Sequence, residues 1–122
     1  MNIFISKKNP IQALHDFNDT RLFSEIFPEF GRVWGQVQFD IYHHYTTDEH
    51  LLLTLHNLSE LRQKSFYNEI YSRLNYREAL HLALLFHDIG KKVHKSHSVY
   101  GKELTNKILK RLPVSKEIKE LT

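Results

Sequence analysis

The chain has 122 residues, of which 41% are hydrophobic and 25% carry a charged side chain. This length and composition indicate one globular domain and exclude a disordered or low-complexity chain. Its apolar runs are too short to span a membrane. The first lysines follow the initial apolar run, unlike those of a secretory signal, so we expect a cytoplasmic protein. Cysteine is absent, which excludes disulfides and thiolate metal sites and leaves His, Asp and Glu as ligands.

Charge is distributed unevenly along the chain, whose net charge is +3. Residues 1–90 carry 8 basic and 11 acidic side chains, whereas residues 91–122 carry 9 basic and 3 acidic ones. A basic region of this kind suits a phosphate-bearing ligand, and it is also typical of a solvated, lysine-rich helix face. Nine histidines are a second enrichment that needs an explanation.

The first half of the chain is predicted to be helical. Residues 11–27 form helices with a break near Asn18 or Asp19, and Pro28 ends them. Residues 28–45 mix aromatic side chains with two glycines, which favours a short helix followed by an irregular packed segment.

A capping box, Thr46 with Glu49, predicts that the next helix covers about residues 47–63. Residues 64–74 are expected to form another helix, with four apolar side chains on one side: Phe66, Ile70, Tyr71 and Leu74.

The remaining chain completes an all-α prediction. Residues 76–88 are predicted to form a helix that is apolar nearly all round from Ala79 to Phe86, as in a central buried helix. Gly90 is a natural residue for the C′ position that follows it. Residues 97–112 are amphipathic, Pro113 stops them, and residues 115–122 begin a further helix. No alternating strand pattern is found.

Four polar residues fall at predicted helix ends, where several helices can converge. His50 lies in a first helical turn, His87 and Asp88 end the most apolar segment, and His97 begins the next helix. A buried charge costs several kcal/mol unless it is paired or bound to a metal. Imidazole and carboxylate together suit an Mn, Fe or Zn ion, whereas Mg²⁺ prefers more oxygen ligands.

For the other histidines, packing or hydrogen bonding is as good an explanation as metal binding. His43 and His44 lie in an aromatic loop, where stacking or hydrogen bonding accounts for them. His81 shares a helix face with Asp88, and we favour a satisfied core histidine. The rest are expected to be surface or packing residues: His15, His56 and His94. Gly101 would let another helix approach the His97 helix closely.

These residues resemble the pattern of the HD superfamily of metal-dependent phosphohydrolases, which has a His, a later His-Asp pair and a distal Asp. His50 matches the first His, and His87 with Asp88 match the pair in the context ALLFHDIGK. The segment HSVYG at residues 97–101 is also similar to several branches, in which this His lines the site or binds a second metal. The resemblance implies an all-α, HD-domain-like helical bundle whose His50, His87 and Asp88 bind a divalent metal (Mn, Fe, Mg or Zn).

A longer stretch, FPEFGRVWGQVQFDIYHHYTTDEHLL, is most similar to the HD domain of the bifunctional uridylyltransferase/uridylyl-removing enzymes. That family has three consecutive motifs, and the matching positions are Pro28, Phe30, Gly31, Arg32, Gln36, Gln38, Phe39, Asp40, His43, Tyr45, Thr46, Asp48, Glu49 and His50. The resemblance covers residues 21–112. It implies hydrolysis of the phosphodiester that joins UMP to a tyrosine of the nitrogen-regulatory PII protein.

The resemblance also implies roles for nearby residues. The metal would polarise a phosphoryl oxygen and lower the pKa of its bound water. Lys91, Lys92 and Arg32 would hold phosphate charge, or are ordinary exposed cations. His97 would ligate the metal, donate a hydrogen bond or orient the water.

The sequence departs from the family in two ways. After residue 101 it has no aspartate, only Glu103, Glu117 and Glu120, so the bundle is expected to be truncated before its last helices. The family's nucleotidyltransferase and small ligand-binding domains are also missing. We therefore expect a fragment, with a natural short homologue as the alternative. Residues 1–35 are predicted to be a helical lead-in and residues 36–122 the HD domain.

Three functional hypotheses follow. The first is an HD phosphohydrolase domain whose partner is a uridylylated PII-type protein or another phosphodiester substrate. The second is a non-catalytic HD-fold helical module, and the third is an HD hydrolase of free nucleotides. No membrane partner and no specific nucleic acid are expected, and a homo-oligomer is left open.

Overall fold

The computed structural model describes residues 10–35, 45–91 and 96–122. Within these ranges it has eight helices and no strand, which confirms the predicted all-α class. The helices are α1 (Pro10–Asp19), α2 (Leu22–Ile26), α3 (Pro28–Gly31), α4 (Thr47–Leu61), α5 (Ser65–Ser72), α6 (Arg77–Phe86), α7 (His97–Arg111) and α8 (Lys116–Leu121). None of these helices is both long and apolar enough to cross a bilayer.

Local signals place the helix ends close to where the sequence predicts them. Thr46 caps α4, and the capping box with Glu49 is present. The predicted break after Asn18 occurs between α1 and α2, where Arg21 has a φ of 61°. Pro28 is the first residue of α3, as expected for a side chain that fixes φ and lacks an N–H donor.

One hydrophobic core joins the short N-terminal helices to α4, α6 and α7. Helix α4 contacts both α1 and α6, and α6 also contacts α8. The core consists of buried apolar side chains from α1 to α4, from α6 and α7, and from the turns that follow α3 and α6: Leu14, Phe23, Phe30, Val33, Leu51, Leu52, Leu55, Leu82, Leu85, Phe86, Ile89, Leu104, Ile108 and Leu109. The division at residue 35 into a lead-in and an HD domain stays a prediction.

Two polar contacts also connect α3 to α7. Arg111 donates two hydrogen bonds to the carboxylate of Glu29, at 2.8 and 2.6 Å. These bonds lower the pKa of Glu29, as a bidentate guanidinium contact does. The guanidinium of Arg32 donates to the hydroxyl of Tyr100.

Helix α5 buries only one of its four predicted apolar side chains. Tyr71 is buried, whereas Phe66 is 66% exposed and Ile70 is 51% exposed. The guanidinium of Arg62 stacks 4.1 Å from the centroid of the Tyr71 ring, and the ring of His81 lies 5.9 Å away on α6.

His81 is a buried residue, as a core histidine is expected to be. It is 6% exposed, and burial lowers its pKa below the ordinary value of 6.5, with the Arg62 charge acting in the same direction. The unfolded chain therefore takes up a proton at a higher pH than the folded chain does.

We expect this histidine to make the fold less stable in mild acid. Its contribution is fully present above about pH 6.5 and is lost as the pH falls toward the lower folded-state pKa. Urea unfolding at about pH 7.5 and about pH 5.5 should show a smaller pH effect in His81→Gln than in the original chain. His56→Gln, which changes an exposed histidine, should keep the original pH effect. If pH changed the stability of all three proteins equally, His81 would not be the source of the acid sensitivity.

Candidate metal centre

Three potential metal ligands meet where the ends of α4 and α6 come together. His50 lies in the first turn of α4, and its position is set by the capping box one turn earlier. His87 and Asp88 directly follow Phe86, the last residue of α6. One donor atom from each of the three lies within 4.8 Å of the other two. The packing of α4 against α6 therefore brings together residues that are far apart in sequence.

The separations between the donor atoms fit a single metal ion. Nε2 of His50 and Nε2 of His87 each lie 3.5 Å from Oδ2 of Asp88. Metal–ligand bonds of about 2.1 Å at a tetrahedral angle place neighbouring donor atoms about 3.4 Å apart. The two imidazole rings lie edge to face, with centroids 5.3 Å apart.

The backbone orients one of the two imidazoles for ligation. Nδ1 of His87 lies 2.7 Å from the carbonyl oxygen of Leu84. A carbonyl oxygen only accepts hydrogen bonds, so Nδ1 carries a proton, and in the neutral ring Nε2 keeps the lone pair that a metal would bind. Histidines that bind metals use this arrangement, in which the second nitrogen is fixed by a hydrogen bond.

The Asp88 carboxylate already pairs with a positively charged side chain. The ammonium of Lys91 lies 2.6 Å from Oδ2 of Asp88, the oxygen that both imidazoles approach. The Asp88 side chain is 19% exposed, so its negative charge is partly removed from water. A positive charge at this oxygen is what a bound metal ion would also supply, and the donor set fits such an ion.

The other predicted site residues lie elsewhere or outside the described ranges. His97 begins α7 with an exposed side chain and is not among the three clustered donors. Arg32 is engaged by Tyr100. Three candidates fall outside the described residues, so their predictions stay open: Lys92, His43 and His44.

A close backbone contact holds the turn that carries Asp88 against the start of α7. A Cβ atom on Gly90 would lie 2.4 Å from the carbonyl oxygen of His97 and 2.5 Å from the nitrogen of Gly101. On Gly101, a Cβ atom would lie 3.5 Å from the nearest atom of Gly90, an ordinary contact. The close approach expected at Gly101 therefore exists, but Gly90 is the residue that cannot carry a side chain.

The structure also changes the reason for Gly90. As a C-terminal cap it would adopt a positive φ, yet among the described glycines only Gly35 has one. Helix α6 instead ends in a tight turn, in which the Ile89 N–H donates to the Phe86 carbonyl and the Lys91 N–H to the Asp88 carbonyl.

Sequence reasoning missed two backbone features of this centre. The Leu84 carbonyl orients His87, and the backbone that makes the expected close approach to Gly101 is that of Gly90. Neither depends on a side chain that a motif could contain. The spacing of three residues between Leu84 and His87 at a helix end was the one available signal.

Comparison with known proteins identifies the family of this chain. The model of the HD domain family matches residues 47–122, a segment that contains all three clustered donors. The chain belongs to the HD domain family. Members of this family bind divalent metals, which agrees with the donor set that α4 and α6 bring together. No solved structure matches the chain.

Curated relatives share the bifunctional uridylyltransferase/uridylyl-removing enzyme name. The enzyme of Rhodospirillum rubrum is 36% identical over 123 residues, which cover 96% of this chain and 13% of that protein. The one from Novosphingobium aromaticivorans is 34% identical over 127 residues, covering 99% of this chain and 14% of that protein. The HD chain thus spans about one seventh of the length of these relatives.

Proposed function

We propose that this HD domain is a metal-dependent phosphohydrolase whose divalent ion is held by His50, His87 and Asp88. The observation that carries the proposal is the matched pair of 3.5 Å separations from the Asp88 oxygen to the two imidazole nitrogens. When bound, a divalent ion supplies Lewis-acid polarisation of a phosphoryl oxygen and makes water more acidic.

The residues of the chain have separate roles in this proposal. His87, oriented by Leu84, and His50 supply neutral nitrogen ligands, and Asp88 supplies the anionic one. Lys91 contacts Asp88 in the structure. Its ammonium would turn to the negative oxygens of a substrate phosphoryl group, where a charge-assisted hydrogen bond is strong. His97, at the start of α7, would orient the attacking water.

The substrate that we propose is a phosphodiester joining a nucleotide to a protein side chain. Support comes from the uridylyl-removing activity in the names of relatives at 34–36% identity. The corresponding reaction would be removal of UMP from a tyrosine of a PII-type regulatory protein.

The test uses the 122-residue chain, loaded with Mn²⁺, and the p-nitrophenyl diester of UMP, which mimics a uridylylated tyrosine. We expect release of nitrophenolate from this diester and at least about tenfold less from p-nitrophenyl phosphate, a monoester. His87→Ala is the inactive control. If the metal-loaded chain hydrolysed neither ester, the result would favour a non-catalytic HD module.

Lys91 gives a separate prediction because it contacts Asp88, a proposed metal ligand, but is not a metal ligand itself. Lys91→Met should lower kcat/KM for the UMP diester by about tenfold or more, the cost of one hydrogen bond to a charged group. Metal content should stay the same or rise, since the ammonium no longer competes for Asp88. Lys110→Met, an exposed change on α7, should alter neither quantity. A loss of metal in Lys91→Met would contradict this role.

A further inference from the structure

A cavity separate from the candidate metal centre lies beside α1 and the start of α4. It encloses about 520 Å³, and none of the three clustered donors lines it. Trp34 and Tyr45 supply aromatic walls, and Asp19, Asp48 and Glu49 supply carboxylates. No lysine or arginine of the described ranges lines it, so the described part of its lining is acidic.

The deepest of these carboxylates has no ion pair with any residue that the structure describes. Asp48 is 4% exposed. Its Oδ1 accepts the N–H of Gly35 at 2.9 Å, and its Oδ2 accepts a hydrogen bond from Nδ2 of Asn18 at 2.9 Å. Both donors are neutral, although the N-terminal end of α4 offsets part of the charge. A buried carboxylate without a positive partner is costly.

An unpartnered polar atom lies next to it. Asn18 is 5% exposed and lines the cavity. Its amide orientation is set because Asp48 can only accept, so Nδ2 faces Asp48 and Oδ1 is the remaining acceptor. That Oδ1 is buried and has no hydrogen-bond partner. A buried acceptor left without a donor destabilises the fold.

We propose that this cavity binds an organic cation, an alkylammonium or guanidinium group. Such a group carries a positive charge for the carboxylates and N–H donors, and Asn18, which lines the cavity, contains the acceptor Oδ1 that has no partner among the described residues. Aromatic faces also attract cations, and the guanidinium of Arg21 already stacks 4.0 Å from the centroid of the Trp34 ring. The cation is either a free small molecule or a basic side chain of a partner protein.

The chain contains its own reporter for this binding. Trp34 is the single tryptophan of the sequence and lines the cavity, so its fluorescence should respond to an occupant. Agmatine is the free-cation probe, and a blocked Gly-Arg-Gly peptide is the side-chain probe. The same peptide with citrulline in place of arginine is the neutral control. Titrations at about pH 8 keep ordinary histidines uncharged.

We expect saturable binding with a Kd on the order of 0.1–1 mM for a cationic probe, and none for the citrulline peptide. Tighter binding of agmatine would identify a free cation as the source, and tighter binding of the arginine peptide would identify a protein side chain. No fluorescence change with either cation, or equal binding of the citrulline peptide, would overturn the proposal.

Matched variants locate the binding. Asp19→Asn combined with Glu49→Gln should weaken it about three- to thirtyfold, and the capping box survives because Gln completes it as Glu does. Asp16→Asn removes an exposed carboxylate of α1 that bonds to Gln12 and does not line the cavity. It should change the Kd by less than about twofold. Equal effects of the two changes would place the cation elsewhere and overturn the proposal.

Discussion

His87→Ala and Asp88→Ala should each reduce the metal content of the purified chain from about one divalent ion to background. Each change removes one of only three clustered protein donors, and two donors on a partly exposed surface hold an ion weakly. The measurement is elemental analysis of protein expressed without a histidine tag in metal-supplemented medium. Because His87 is half-exposed, its replacement leaves the core intact and the loss reports on ligation.

The same experiment has a thermodynamic readout. An ion that binds only the folded chain stabilises it by about 2.7 kcal/mol at a free concentration one hundred times its Kd. Added Mn²⁺ should therefore raise the Tm of the original chain and leave that of both variants unchanged. This readout does not require catalysis, so it tests the metal centre separately from the proposed hydrolysis.

An exposed histidine on α4 provides the control. His56→Ala removes an imidazole outside the clustered donors, and should keep both the ion and the Tm increase. Equal metal affinity in the original chain and in a His87→Ala, Asp88→Ala double variant would show that the ion binds elsewhere, and the assignment of this centre would be abandoned.

The helices were predictable because their signals are local. A capping box and leucines at helical spacing define the start and the buried face of α4, and both features lie within a few residues of one another. The same holds for α7, whose buried Leu104 and Ile108 are one turn apart. Residues 36–44, where much of the family resemblance lies, fall outside the described ranges.

The buried fraction of α5 was not predictable in the same way. Helical periodicity places Phe66, Ile70 and Tyr71 on one side, but it contains no information on whether another element covers that side. In the structure, Arg62 and α6 cover Tyr71 alone. Burial depends on the packing of neighbouring helices, which the pattern of one helix does not specify.

The metal centre was predictable in part. The residues alone indicated helix-end ligands, and the family resemblance selected His50 and His87 from the nine histidines, together with Asp88. The pairing of Lys91 with Asp88 follows from the turn after α6. By contrast, the contact of Arg32 with Tyr100 joins residues 68 positions apart, and such long-range contacts have no local sequence signal.

Two glycines in contact should respond to the same substitution with opposite signs. Gly90→Ala places a methyl group 2.4–2.7 Å from backbone atoms of His97 and Gly101, which cannot rotate away as a side chain could. We expect a loss of about 3 kcal/mol or more in the free energy of unfolding. For a domain of this size, that corresponds to a Tm lower by roughly 10 °C or more.

Gly101→Ala should instead leave stability unchanged or raise it by about 0.5–1 kcal/mol, because alanine favours a helix interior over glycine. Its methyl group would meet Gly90 at 3.5–3.6 Å, an ordinary contact distance. Urea unfolding followed by circular dichroism measures both changes. Equal losses of stability in the two variants would mean that neither glycine has room for a methyl group. Equal tolerance would mean that the turn carrying Asp88 is not held against α7, and the position of Asp88 beside the two imidazoles would then need another support.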